Sequence, residues 1–354
     1  MQKHQLRNVT ATGRNGSSFL FFTALIIIGL AGCRTAPEKG KPETNSGDTT
    51  ATVNKKDLSA IKIGYCTPSL NAPFYVVLSQ YIQKYAEGYG MKFVSADGQD
   101  DIIKQITSIE DLLATGVNVL ILNPLDHKAL VPAVNSAVKS GVPVFIVDSY
   151  IDPAANYVTS IQANNQGNGE LIGGWIVNKF GNSKIKAALI SGSQGNPIGK
   201  EKRLGFIRGF SEMQLMAHGN VDLTIVSQGW GNWTNNGGLK AMEDILVAHP
   251  DINLLVAEND AMGMGALKAI NESGKLANIT IVGFDGQKEA YELIKEGKFA
   301  ATALNSPGEL ARLVVEAAVK YLNGNKQIDK VIYTPPVLIT KENVDKYYDP
   351  KAIF

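Results

Sequence analysis

The sequence predicts an α/β protein of two parallel-sheet lobes, and three observations carry that expectation. From Ile61 onward, short apolar runs alternate with helix-like stretches with little interruption, and such runs read as buried parallel strands. The alternation falls into two series of similar length. The strand ends of the two series also share one polar plan. Val117–Leu122 runs into Asn123-Pro124-Leu125-Asp126 and Val142–Val147 into Asp148, while Leu254–Ala257 runs into Glu258-Asn259-Asp260 and Ile279–Gly283 into Phe284-Asp285-Gly286. Asn to Asp spans 25 residues in the first copy and 26 in the second. Repeated βαβ units mean a parallel sheet covered on both faces, and two matched series mean two lobes. An eight-fold barrel is the structural rival, and an export signal with a tether suits it less well.

In chain order, the first series reads as a strand over Ile61–Cys66, a helix over Phe74–Gly88 and a strand over Lys92–Ala96. A helix over Ile102–Thr115 follows, with Ile103, Ile106, Ile109 and Leu113 on one face. Then come the strand Val117–Leu122, a helix over Ala129–Lys139 and the strand Val142–Val147, and Tyr157–Ile161 leads into a helix over Gly169–Phe180. The second series sets strands at Ile185–Ser191, Leu223–Ser227, Leu254–Ala257 and Ile279–Val282, with helices over Lys200–Met213, Gly238–Ala248 and Met262–Asn271 between them. Gly116 and Gly141 each close a helix just before a strand, a place that needs positive φ. Phe299–Leu304 is a further, mostly apolar run that ends at Asn305.

The amino-terminal segment predicts export. Lys3, Arg7 and Arg14 precede the apolar stretch Phe19–Gly32, which is shorter than the roughly 20 residues a bilayer span needs and has the layout of a secretory signal. It closes in Leu30-Ala31-Gly32-Cys33, which resembles the lipobox of bacterial lipoproteins and implies a signal peptide over residues 1–32, cleavage before Cys33 and lipidation of its thiol. Arg34–Lys56 is rich in Pro, Gly, Thr, Ser, Glu and Lys, too polar to order itself. Residues 33–59 are therefore expected to form a lipidated, disordered tether on the outer face of a membrane. At about 100–200 residues per domain, the remainder makes two. The composition, 44% hydrophobic and 19% charged, supplies large cores, and a net charge of +1 argues against a nucleic-acid partner. With Cys33 lipidated, Cys66 is left alone in the first strand, as a buried apolar residue without a disulfide.

No HExxH, CxxC or GxSxG occurs, and His4, His127, His218 and His249 are scattered. No nucleophile, base and orienting group can be assembled from the sequence, so an enzyme is disfavoured, and no cofactor or metal is expected. The glycine-rich loop Ser191–Gly199 follows a strand but lacks the Gly-Lys-Ser/Thr ending of a phosphate loop; a loop lining a cleft is the better reading. Two aromatics, Phe74 and Tyr75, follow Pro73 at a strand-to-helix junction, and Trp230 and Trp233 sit in a glycine-rich turn. Such rings can cover the C–H face of a sugar. Asn and Asp at strand ends can each engage two neighbouring hydroxyls, and bonds to a charged group are worth about 1.5–3 kcal/mol net. Ligands collect at the carboxyl ends of parallel strands. The opposing reading of Asp126 and Asp260 is that they cap the helices that follow.

Together, Ser69-Leu70-Asn71-Ala72-Pro73-Phe74-Tyr75, Leu122-Asn123-Pro124, Val147-Asp148, Gly205-Phe206, Asn259-Asp260, Gly283-Phe284-Asp285-Gly286 and Ala301-Thr302 resemble the periplasmic sugar-binding proteins of the ribose-binding type, over nearly all of Ile61–Thr340. The resemblance implies two doubly wound parallel-sheet lobes joined by a three-crossing hinge, the periplasmic binding protein-like fold of type I. The crossings would lie near Ala163, Asn305 and Thr334. One lobe would comprise residues 60–163 with 306–334, the other 164–305 with 335–354. It further implies that Phe74 and Tyr75 stack on the ligand from the first lobe beside Asn123 and Asp148. From the second lobe Trp233 would stack, Asn259 and Asp285 would hydrogen-bond, and Lys202, or Arg203 after a one-residue shift, would donate; Asn305 would be a hinge-side amide. Ala72, Ser149 and Ala163 depart from the pattern, where ribose binders carry Asn, Arg and a small hydroxyl residue. Ser149 cannot replace a bidentate guanidinium.

The function implied is that of an extracytoplasmic solute-binding lipoprotein. It would take a small sugar or polyol between hinged lobes and deliver it to an ABC permease, acting as a monomer and bound to no nucleic acid. The alternatives are a receptor feeding a chemoreceptor or sensor kinase, and an exported sugar or nucleoside hydrolase. A sugar-sensing repressor would need a helix-turn-helix where the signal and tether stand.

Overall fold

The computed structural model describes residues Asp57–Phe354, which belong to one compact unit. The expected signal segment, Cys33 and Arg34–Lys56 lie outside the described residues. Leu58, which the expected tether was to include, is buried in a hydrophobic core.

The chain runs through β1 (Lys62–Thr67), α1 (Pro73–Gly88), β2 (Lys92–Asp97), α2 (Ile102–Ala114), β3 (Val119–Leu122), α3 (Val131–Lys139), β4 (Val144–Val147) and β5 (Ser160–Ala163). It continues through α4 (Asn165–Phe180), β6 (Ile185–Ser191), α5 (Pro197–His218), β7 (Leu223–Trp230), α6 (Asn235–Ala248), β8 (Leu254–Ala257), α7 (Asp260–Glu272), β9 (Thr280–Asp285), α8 (Lys288–Glu296) and β10 (Ala301–Leu304). The last elements are α9 (Pro307–Leu322), β11 (Val331–Thr334) and β12 (Leu338–Thr340). The strands sort into two six-stranded sheets, in the orders β11-β5-β4-β3-β1-β2 and β12-β10-β9-β8-β6-β7. Every pairing is parallel except that of β10 with β12. The fold is thus the α/β arrangement of two parallel-sheet lobes.

Strand alternation explains why both faces of each sheet are covered. Ile63, Tyr65, Val119, Ile121, Phe145 and Val147 point to one side of the first sheet, where α1 and α9 pack. Cys66, Leu120, Leu122, Val144 and Ile146 point to the other, against α2 and α3. Burial pushes the Cys66 thiol up to about 12, which fits an inert apolar role. The second sheet is covered the same way, by α6 and α7 on one face and by α4 and α5 on the other.

The contact between α4 and α5 is built from glycine. A Cβ on Gly169 would come within 2.5 Å of the Lys202 carbonyl, and one on Gly173 within 2.4 Å of that of Phe206. The backbones therefore touch, and this fixes the height at which α5 carries Lys202.

One helix face differs from its expected orientation. Ile103 of α2 is 75% exposed, whereas Gln105, Ser108, Ile109 and Leu112 are buried. The helix is rotated because Gln105 is needed inside: its Nε2 donates to the Asn123 carbonyl (2.8 Å) and its Oε1 accepts from Leu125 N (2.9 Å).

The chain passes between the sheets after β5, after β10 and after β11. Asn168, in the first turn of α4, links all three passages. Its Nδ2 donates to the Leu304 carbonyl at 2.8 Å, and its Oδ1 accepts from Val337 N at 3.1 Å.

Candidate functional site

The carboxyl ends of both sheets face one cleft, of about 570 Å³ counting its open mouth. Phe74, Tyr75, Asn123, Asp148, Lys202, Trp233, Asn259, Asp285 and Asn305 all line it. The structure therefore brings all nine sequence-predicted residues to one place. Trp230 is not among them: it lies outside, under the Arg203 guanidinium. His127 rests against Tyr150, away from the lining.

On the first-sheet side, the two members of the repeated plan hydrogen-bond to each other. Asn123 Nδ2 donates to Asp148 Oδ2 at 3.0 Å. Asn305, at the end of β10, donates to Asp148 Oδ1 over 3.4 Å. Burial pushes the Asp148 carboxyl above its ordinary pKa, with the Asn123 bond and the Lys202 charge pulling it back. Tyr75 packs against both the α1/α9 core and the α6/α7 core. Phe74 meets Tyr75 edge-on at 6.0 Å and the carboxyl-terminal Phe354 at 5.7 Å, so it is largely a core residue with one side toward the cleft.

On the second-sheet side the plan is used differently. Asn259 is the cap of α7: its Oδ1 accepts from Met262 N (2.8 Å) and its Nδ2 donates to the Trp233 carbonyl (3.0 Å). The cap expected at Asp260 therefore falls one residue earlier. Asp260 instead sits fully buried, accepting from Thr302 Oγ1, Gly286 N and Gln287 N, and so ties β10 to the turn that carries Asp285. Asp126 accepts from Lys128 N and Ala129 N in the turn before α3 rather than capping α3 itself, which starts after Leu130. Asp285 pairs with Lys202 Nζ at 3.0 Å, and the same ammonium donates to the Glu258 carbonyl at 2.9 Å. Burial raises the Asp285 pKa and Lys202 opposes it. Of the two cationic candidates, Lys202 lines the cleft, while Arg203 turns away to ion-pair with Glu258 and donate to Ser191 Oγ.

Trp233 reaches the cleft because the chain gives way beneath it. A Cβ on Gly192 would lie 2.0 Å from the indole, so the ring lies directly on the Gly192 backbone. Gly192 N donates to Glu258 Oε2 at 2.8 Å, which holds the loop down. The backbone is strained along the cleft. Among the described residues, six non-glycine positions have positive φ, and four of them line the cleft: Asp100, Asp148, Trp233 and Asp285.

The loop Ser191–Gly199, expected to line a cleft, brings Ser193, Asn196 and Ile198 to this one, whereas sequence reasoning missed Asp100, which also lines it. It also missed the supports Gln105 and Glu258. Asp100 follows Gln99 in a turn where both are left-handed (φ 54° and 58°), pinned by Asp100 N to the Pro68 carbonyl and by Gly98 N to that of Thr67. The run Asp97-Gly98-Gln99-Asp100-Asp101 at a strand end was the available signal, since such turns collect Gly, Asn and Asp. Among the described residues, no cluster of three His, Cys, Asp or Glu side chains could hold a metal.

A family model described as periplasmic binding protein domain matches residues 63–326. The chain is 36% identical over 315 residues to the ribose import binding protein RbsB of Bacillus subtilis, covering 88% of this chain and 95% of that one. It is similar in structure to a solute-binding protein of an ABC transporter from Mycobacterium smegmatis with bound glycerol (TM-score 0.75, 30% identity, 82% of this chain and 98% of that one). It is similar also to the Caulobacter myo-inositol binding protein bound to myo-inositol (TM-score 0.74, 28% identity, 81% and 95%). With its two parallel-sheet lobes and a cleft lined from both, the chain belongs to the periplasmic binding protein family.

Proposed function

We propose that this chain is the solute-binding component of an ABC importer: it captures a small sugar or polyol in the cleft and delivers it to the membrane permease without chemically changing it. One observation carries the reading. Rings and planar amide or carboxylate groups from both lobes converge on a single cleft, the combination that covers the C–H faces of a sugar and engages its hydroxyls. The names of the relatives agree, since they bind ribose, glycerol and myo-inositol.

In this reading Phe74, Tyr75 and Trp233 stack on the ligand. Asn123, Asp148, Asn259, Asp285 and Asn305 exchange hydrogen bonds with its hydroxyls, and Lys202 donates while paired with Asp285. The two lobes turn about the passages at Ala163, Asn305 and Thr334, and closure is stabilised because a ligand bonds both lobes only when they meet. The Leu30-Ala31-Gly32-Cys33 sequence supports export and lipidation at Cys33, which would hold a monomeric receptor beside its permease on the extracytoplasmic face.

A calorimetric and thermal-shift screen of pentoses, hexoses and polyols tests the proposal. At least one is expected to bind, and Asn123→Ala and Asp285→Ala are each expected to weaken it by about 10- to 150-fold, the equivalent of about 1.5–3 kcal/mol, with circular dichroism unchanged. A folded protein that binds none of these compounds would overturn the reading.

A further inference from the structure

The cleft is short of positive charge, and that shortage narrows the ligand. Two carboxylates lie deep in it, Asp148 (7% exposed) and Asp285 (5%), against one ammonium, Lys202 (2%). Lys202 is already engaged by Asp285 and the Glu258 carbonyl. Arg203, the neighbouring cation, is neutralised by Glu258. Asp148 is hydrogen-bonded only by amides, Asn123 at 3.0 Å and Asn305 at a long 3.4 Å, and the Lys202 charge acts on it without contact. The residue after it is Ser149, which brings no charge. Asp148 also lacks the help of a helix N-terminus from its own connection, because β4 leads directly to β5, whereas Asp285 stands just before α8. A third carboxylate, Asp100, lines the mouth of the same cleft, touched by Asn71 Nδ2 at 3.3 Å.

A second observation points the same way. Asn305 Oδ1 is buried in the cleft without a hydrogen-bond partner. One unmet acceptor and one carboxylate without an ion-pair partner lie at the same place, and a buried charge without a counter-charge is costly. A neutral hydroxyl can satisfy an acceptor but leaves the charge. An ammonium supplies three N–H donors and the charge together, and aromatic faces such as those of Tyr75 and Trp233 accept a cation as readily as a C–H surface.

We infer that the ligand carries a positive charge, and that this receptor takes an amine-bearing sugar or polyol with its ammonium set against Asp148 and Asn305. The inference rests on the sugar-binding reading and deepens it. Its test is calorimetry of the purified protein against matched trios at pH 7: a neutral sugar, its amino-deoxy counterpart and the N-acetylated form, in the glucose, galactose, mannose and inositol series. The expected result is at least one amine that binds tenfold or more tighter than its neutral parent. That advantage should shrink in high salt, disappear on N-acetylation and narrow at least tenfold in Asp148→Asn. A neutral sugar that binds as tightly as its amine overturns the inference and leaves the sugar-binding reading standing. Loss of the advantage on N-acetylation alone, with none in Asp148→Asn while that variant melts as a folded protein, overturns the assignment to Asp148. Absence of binding in all three columns overturns the inference, and the sugar-binding reading falls with it only if the pentoses and the other polyols of the wider screen fail as well.

Discussion

Asp148 shows how a residue proposed to bind ligand can work against the fold that holds it. It has a positive φ of 66°, and burial raises its pKa above the ordinary carboxylate value. A carboxylate whose folded-state pKa is raised binds its proton more tightly folded than unfolded. Its ionisation therefore costs stability once the pH exceeds the folded value, and the cost vanishes as the pH falls below the unfolded one, about 4. Asp148→Asn keeps an acceptor for Asn123 Nδ2 and removes the charge. In the ligand-free protein the variant is expected to melt higher than the parent at pH 7, and the gain should shrink steadily as the pH is lowered toward about 4. Paired melting curves across that range check it, and a gain independent of pH would mean that the carboxylate is not the source. The side chains legible in the sequence were those at paired strand ends, because strand ends face the cleft whatever the packing. Asp100 escaped because the run Asp97–Asp101 signals a turn but not that two consecutive left-handed residues bring Asp100 to the cleft.

At the level of whole elements, the sequence was most readable where one face of a strand or helix is purely apolar. Ile185–Ser191 and Leu254–Ala257 have the limits expected of them. The misoriented face of α2 has a physical cause: the helix spends its buried side on Gln105 and Ser108, polar residues that hydrophobic periodicity cannot see, while Ile103 goes to solvent. Those buried polar groups are what position the site, Gln105 by gripping both ends of Asn123-Pro124-Leu125. The elements α8, α9, β11 and β12 went unassigned, and β11, at the sheet edge, buries only the polar Thr334 fully, so there is little pattern to read. Asn168 belongs to the same class of hidden polar support. Asn168→Ala removes its two side-chain bonds to the Leu304 carbonyl and Val337 N and leaves those half-buried groups without that partner, a loss of about 1–3 kcal/mol each at most. The expected outcome is a lower melting temperature together with faster amide exchange at Leu304–Ser306 and Val337, measured by hydrogen–deuterium exchange. A drop in melting temperature with no local change in exchange would show that Asn168 acts elsewhere than at the passages.

For the molecule as a whole, the two halves meet through a small residue. Ala72, in the turn between β1 and α1, is 4% exposed and packs into the α6/α7 core cluster that contains Trp233. Tyr75, one turn of helix later, touches that core as well as its own. The lobes are therefore shut on each other in this structure, and the meeting point is the place where ribose binders carry a polar side chain. A methyl group allows the approach and contributes no hydrogen bond, so specificity moves to the groups around it. It also makes Ala72 the position at which closure can be blocked without touching either sheet. Ala72→Trp adds a bulky ring where the lobes must meet, and overpacking at a filled site typically costs about 1–3 kcal/mol. If the lobes can separate, the strain is relieved by opening rather than by unfolding. The melting temperature should then change little, the radius of gyration from small-angle X-ray scattering should rise, and adding ligand should no longer lower it. Calorimetry on the same sample should show affinity reduced at least tenfold, since a ligand held by one lobe loses the partners supplied by the other. If the variant instead melts far below the parent and its dimensions match the parent's when folded, the two lobes do not move as separate bodies about the passages, and capture by closure fails with it.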